Sequence, residues 1–199
     1  MTFPETESRQ KLIELLQLAY SGELAAAHAY HGHWKSVRNP IEKTAIQNIE
    51  NDEWRHRQLV GNMLVSLDSG PNPQRETRAN IIGRTLGFFC HVTGWLAPMY
   101  GAGKLESRNV REYETAARYA RDCGCVDLIE CLLEMAEVEW DHEFYFRACV
   151  LSSALGRRLP LWPQPPPKET IRLTFEREKI AHSLQERSPQ ARESAPTAV

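Results

Sequence analysis

Glu53-Trp54-Arg55-His56 recurs later in the chain as Glu139-Trp140-Asp141-His142, so that Glu-Trp-x-His is written twice. A spacing of three sets Glu and His on one face of a helix, and each copy therefore presents a carboxylate and an imidazole together. In both copies that face is also the apolar one. Ile46, Ile49, Leu59, Val60 and Met63 accompany the first pair; Leu128, Leu132, Met135, Tyr145, Phe146 and Val150 accompany the second. Glutamate is almost never fully buried unless it is paired, so carboxylates on an apolar stripe need partners. A single Glu-x-x-His reads as ordinary surface charge, but two copies on two apolar faces do not.

Another glutamate stands upstream of each pair. Glu23 precedes Glu53 by thirty residues, and Glu106, Glu112 or Glu114 precedes Glu139. Glu23 is followed at three, four and seven positions by Ala26, Ala27 and Tyr30; Glu112 is followed at the same offsets by Thr115, Ala116 and Tyr119. Glu114 lies between Arg111 and Arg118, as on a solvated face with ion pairs of about 0.3–0.5 kcal/mol each. Glu106 falls close to an expected helix break. The match therefore selects Glu112. The expected metal ligands are Glu23, Glu53, His56, Glu112, Glu139 and His142. Tyr30 and Tyr119 are either partners of the terminal glutamates or plain core aromatics.

Four carboxylates facing one core repel, and burying even one unpaired charge costs several kcal/mol. Two divalent cations would balance four carboxylates and two neutral histidines. Oxygen-rich ligation with one nitrogen per ion suits iron, with manganese as the other fit, better than zinc.

Helical periodicity without sustained alternation predicts an all-α domain. The first helix is expected over about residues 7–37, ended by Asn39-Pro40 because a residue before proline is pushed out of the helical region. A second runs from Pro40 or Ile41 to the stop at Asp68-Ser69-Gly70-Pro71. A third region, about residues 77–123, is expected to break near Pro98, Gly101 and Gly103, and a fourth helix covers about residues 126–155. Residues 1–157 thus form a helical bundle. Residues 158–199 form a proline-rich strap, a short helix over 169–187 and a disordered tail.

The 199 residues carry a formal net charge of −2 with both signs interspersed, which excludes the basic stripe of a nucleic-acid binder. Five cysteines, an odd number, and a start without a charged-then-apolar leader predict a reduced, cytoplasmic protein. Cys123-Gly124-Cys125 reads as unpaired thiols at a helix junction rather than as a zinc knuckle. Residues 81–102 are apolar but contain Arg84, His91 and Pro98, which suits a buried helix, or one lying on a bilayer surface, better than a spanning one.

The doubled pattern resembles the ferritin-like di-iron carboxylate superfamily, a four-helix bundle in which one Glu from each of two helices joins a Glu-x-x-His from each of the other two. The resemblance covers about residues 8–155. Gly22-Glu23 with Tyr30, Glu53-x-x-His56, the glycine-rich apolar helix, Val110-Arg111-Glu112 with Tyr119, and Glu139-x-x-His142 look most like the demethoxyubiquinone hydroxylase family. That resemblance implies two irons bridged by Glu53 and Glu139, and an oxidase or hydroxylase using dioxygen and an electron donor on an apolar, quinone-like substrate. Gly87, Phe88, Phe89, Gly94 and Trp95 would then supply a substrate channel, a peripheral membrane contact or core packing. The family's His-Tyr pair after its third glutamate is replaced here by Arg118-Tyr119. A ferroxidase or iron-storage protein is the alternative. The strap either covers the site or mediates an oligomer contact such as a homodimer.

Overall fold

The computed structural model describes residues 3–193, with side chains for 5–181 and Leu184, and all regular structure among them is helical. Six α-helices follow in order: α1 Phe3–Ser36, α2 Pro40–Ser66, α3 Pro73–Phe89, α4 Leu96–Asp122, α5 Ile129–Ser152 and α6 Glu169–Glu193. Short 3-10 turns cover Val126–Leu128 and Gly156–Arg158.

The helix starts follow from local chemistry. Asn39 and Asn72 each precede a proline at the first helical position, where the missing N–H costs nothing. Each asparagine side chain accepts a hydrogen bond from the opening turn, from Ile41 N at 2.9 Å and from Gln74 N at 3.1 Å. α2 ends with Asp68 in the left-handed region at φ 52°, while Ser69 N donates to Leu64 O at 2.9 Å.

The break in the third helical region lies earlier than expected. It falls at Cys90–Trp95, where Gly94 adopts φ +78°, and not at Pro98, Gly101 and Gly103. Pro98 is the third residue of α4, still in the first turn, whose N–H groups have no intrahelical acceptor. The proline therefore opens α4 instead of breaking it. Glu106 consequently lies well inside a continuous helix.

The chain divides into two compact units, residues 1–165 and 166–199, so the division falls within the proline-rich stretch. In the first unit α1 packs against α2, α3 and α4, and α4 packs against α5. α3 approaches α1 at glycines: a Cβ on Gly32 would collide with Gly87, and one on Gly83 with Ala25. The core includes Ala26, Tyr30, Ile46, Ile49, Met99, Phe146 and Val150. Trp162 completes it from the strap, lying over Gly103, where any side chain would meet the indole. Its Nε1 donates to Glu143 Oε1 at 2.6 Å, and Arg147 Nη2 donates to Trp162 O at 3.2 Å. The second unit contains α6, which runs six residues past the expected end at 187. The tail beyond Glu193 lies outside the described residues.

Candidate metal centre

The two Glu-x-x-His pairs sit in the middle of α2 and α5, and their side chains meet. His56 Nδ1 is 2.9 Å from Glu139 Oε1, and His142 Nδ1 is 3.6 Å from both Glu53 Oε1 and Glu139 Oε2. The tryptophans of the repeat lie off this face: Trp54 meets His28 edge-on and Trp140 stacks on Phe144.

Two groups of side chains have ligand atoms within 4.8 Å of one another. One is Glu23, Glu53, His56 and Glu139; the other is Glu53, Glu106, Glu139 and His142. All six residues are buried, with Glu53, Glu106 and Glu139 at 0 % exposure. Glu53 and Glu139 are common to both groups, so the two groups overlap in one continuous cluster.

The fourth carboxylate is Glu106, and the choice of Glu112 is corrected. Glu106 belongs to a 4-3 seam on α4, Met99, Gly103, Glu106, Val110, Tyr113, Ala117 and Ala120, every member of which is buried. Glu112 is six residues further, roughly 120° around the helix by the 3.6-residue turn. There its side chain is 23 % exposed and pairs with Arg108 Nε at 2.6 Å. Tyr119 shares the error; it is half-buried and outside the cluster. Tyr113, seven residues after Glu106, takes the expected place.

The tyrosines cross between halves. Tyr30 of α1 donates to Glu106 of α4, and Tyr113 of α4 donates to Glu23 of α1. Asn109 Nδ2 adds a bond to Glu106 Oε2 at 3.0 Å. Asp52 Oδ2, absent from the sequence-based set, lies 3.2 Å from His142 Nε2, the ring nitrogen turned away from the cluster. Asp52 sits beside Glu53 in the sequence, so its role depends on α2 and α5 lying together, and nothing local announces it.

Burial pushes Glu23, Glu53 and Glu106 above the usual carboxylate range, and neighbouring carboxylates reinforce this for Glu53 and Glu106. Glu139 is held low: desolvation opposes its charge, but its contacts with His142 and His56 outweigh that cost. Desolvation likewise opposes charge on His142, but its bond to Asp52 and the nearby Glu139 carboxylate nevertheless raise it to about 10. Without cations the cluster must therefore hold protons to offset its charge.

Its donor atoms fit metal ions. Glu23 Oε2, both carboxylate oxygens of Glu53, Glu139 Oε2 and His142 Nδ1 are buried with no hydrogen-bond partner. Buried polar atoms are ordinarily paired, so five orphans in one cluster leave oxygen and nitrogen lone pairs open to a ligand. The cluster could hold metal ions through oxygen and nitrogen. Among the described residues no helix is long and apolar enough to cross a membrane. Compared with protein-family models, with curated proteins and with solved structures, the chain finds no match.

Proposed function

We propose that the chain is a ferritin-like di-iron oxidase or hydroxylase that activates dioxygen and acts on an apolar organic substrate. The observation that carries this reading is the pair of overlapping ligand groups sharing Glu53 and Glu139, with their orphaned oxygens and nitrogen. Two iron ions, or manganese in one position, would supply the reduction of dioxygen with electrons from an external donor.

The residues of the chain then divide the remaining work. Glu23 with His56 and Glu106 with His142 provide terminal ligands. Tyr30 and Tyr113 fix the terminal carboxylates from across the bundle, and Asp52 orients the His142 ring. Core residues such as Ala26, Ile49, Met99 and Phe146 exclude bulk water.

A cavity of about 450 Å³ supports an organic substrate over an iron store. Ala26, Tyr30, His33, Leu86, Phe89 and Leu105 are among its walls, and Tyr30 is the same side chain that holds Glu106. Leu86 and Phe89, together with Ile81, Ile82, Phe88 and Val92, are also exposed on α3 and the turn after it. This apolar strip beside the cavity suits a substrate delivered from a lipid surface, and hence a peripheral membrane contact.

The test is to load the purified protein anaerobically with ferrous iron, measure iron per chain, and admit oxygen with a chemical reductant. About two irons per chain and oxygen uptake that is lost in Glu53→Ala are expected. Full loading with no oxygen uptake under any reductant would sink the reading. Retention of many oxidised irons per chain would replace it with the ferroxidase and storage reading.

A further inference from the structure

Cys123-Gly124-Cys125 lies outside the metal cluster, at the junction where α4 passes through the 3-10 turn into α5. The local backbone is a helix cap of defined geometry. Gly124 sits in the left-handed region at φ +75°, Gly124 N donates to Arg121 O at 3.1 Å, and Cys125 N donates to Ala120 O at 2.8 Å. These two bonds, from the first and second residues past the cap residue Cys123 to the last turn of α4, form a Schellman motif. Only glycine takes the middle position without strain.

The cap turns the two flanking side chains toward each other, and their Sγ atoms lie 3.3 Å apart. Cys123 is buried and Cys125 is half-buried. A disulfide requires about 2.05 Å between sulfurs, so the two must approach by roughly 1.3 Å to bond. Among the described residues no other two thiols are in contact, although Cys90, Cys131 and Cys149 are also free.

We propose that Cys123 and Cys125 form a thiol–disulfide exchange site whose substrate is a low-molecular-weight disulfide. Cys125, the more accessible thiol, attacks one sulfur of the small disulfide as its thiolate. The S–S bond of the substrate breaks, one thiol leaves, and a mixed disulfide remains on Cys125. Cys123 then gives up its proton and attacks the Cys125 sulfur, releasing the second thiol and closing the Cys123–Cys125 bond. Overall two protein thiols become one disulfide, and two electrons with two protons pass to the substrate, which becomes two thiols. Burial and the contact with Cys125 raise the Cys123 thiol to about 11, so it is protonated at neutral pH, consistent with its entering as the second thiol.

The experiment uses the full chain and glutathione disulfide, followed by alkylation, intact mass and peptide mapping after cleavage at glutamate, which separates Cys125 from Cys131 at Glu130. Alkylatable thiols should fall from five to three, with the bond mapped between Cys123 and Cys125 and reversed by a dithiol reductant. Cys123→Ser should stop at a glutathione adduct on Cys125, and Cys125→Ser should form no bond to Cys123. Five thiols remaining in the unaltered chain, a Cys125 adduct that never resolves there, or a bond involving Cys90, Cys131 or Cys149 would overturn the proposal. No metal is needed in this assay, so its outcome is independent of the two-metal reading.

Discussion

The α1–α2 half of the centre and the α4–α5 half contribute the same parts in the same order, yet they are not equivalent. Each has a terminal glutamate, a tyrosine seven residues later, and a Glu-x-x-His on the following helix. Each tyrosine serves the opposite half. The differences lie one position outside this frame. Asp52, just before Glu53, holds His142, whereas the matching position before Glu139 is Val138, which has no polar atom to offer His56. Glu139 accepts a bond from His56, whereas both Glu53 oxygens are unpartnered. A doubled motif thus supplies two ligand sets, and single neighbouring residues make one set better supported than the other.

The largest effect should come from the residues the halves share. On the two-metal reading Glu139→Ala removes a ligand from both groups and lowers bound metal from about two ions per chain to near none, as read by elemental analysis. Retention of one tightly held ion would show that Glu139 serves one position only. Next comes the residue that distinguishes the halves in sequence: Glu106→Ala should cost one ion, whereas Glu112→Ala, which breaks only the pair with Arg108, should keep both. Equal losses would return Glu112 to the ligand set. Third, Asp52→Ala frees the His142 ring and should weaken metal binding about 10–100-fold, the usual cost of losing an outer partner of a ligating histidine. Competition with a chromogenic chelator measures it. Val138→Ala, its counterpart, should leave affinity unchanged.

The same comparison shows what could be read in advance. Helices carrying Glu23, the first Glu-x-x-His and the second were legible because apolar period and paired spacing agree over many turns. Two premises selected Glu112 over Glu106 in the second half: Thr115 and Ala116 match the small residues Ala26 and Ala27 after Glu23, and Pro98 with two glycines was expected to break the helix beside Glu106. Proline in the first turn starts a helix as readily as it ends one elsewhere, and with that break removed the seam from Met99 to Ala120 passes through Glu106. The tyrosine offset could not discriminate, since Glu106–Tyr113 and Glu112–Tyr119 share the same spacing, and the small residues at Thr115 and Ala116 favoured the wrong glutamate over Asn109 and Val110. Asp52 and the crossed tyrosines were not legible at all, because each contact joins helices far apart in the chain.

A last comparison, read in stability and not in metal binding, concerns a residue that only one half has. His33 lies ten residues after Glu23, where the corresponding offset from Glu106 falls on Ala116. His33 is 2 % exposed, its ring stacks with Tyr30 and Phe146, and its Nε2 is without a hydrogen-bond partner. Burial lowers its pKa to about 4, against about 6.5 in an unfolded chain. Between those values the unfolded state takes up a proton that the folded state refuses, so stability is full above about pH 6.5 and falls as the pH is lowered toward about 4. At pH 5 the loss from this one group should be about 2 kcal/mol. Urea midpoints of the metal-free protein at pH 7.5 and 5 measure it, compared with His33→Phe, which keeps the stacked ring and removes the titration. The acid-induced loss should be smaller in the variant by about that amount, because the carboxylate cluster contributes equally to both proteins. Identical losses would mean that His33 is solvated when protonated, and that the α1 side of the core opens to water more easily than its α4 counterpart.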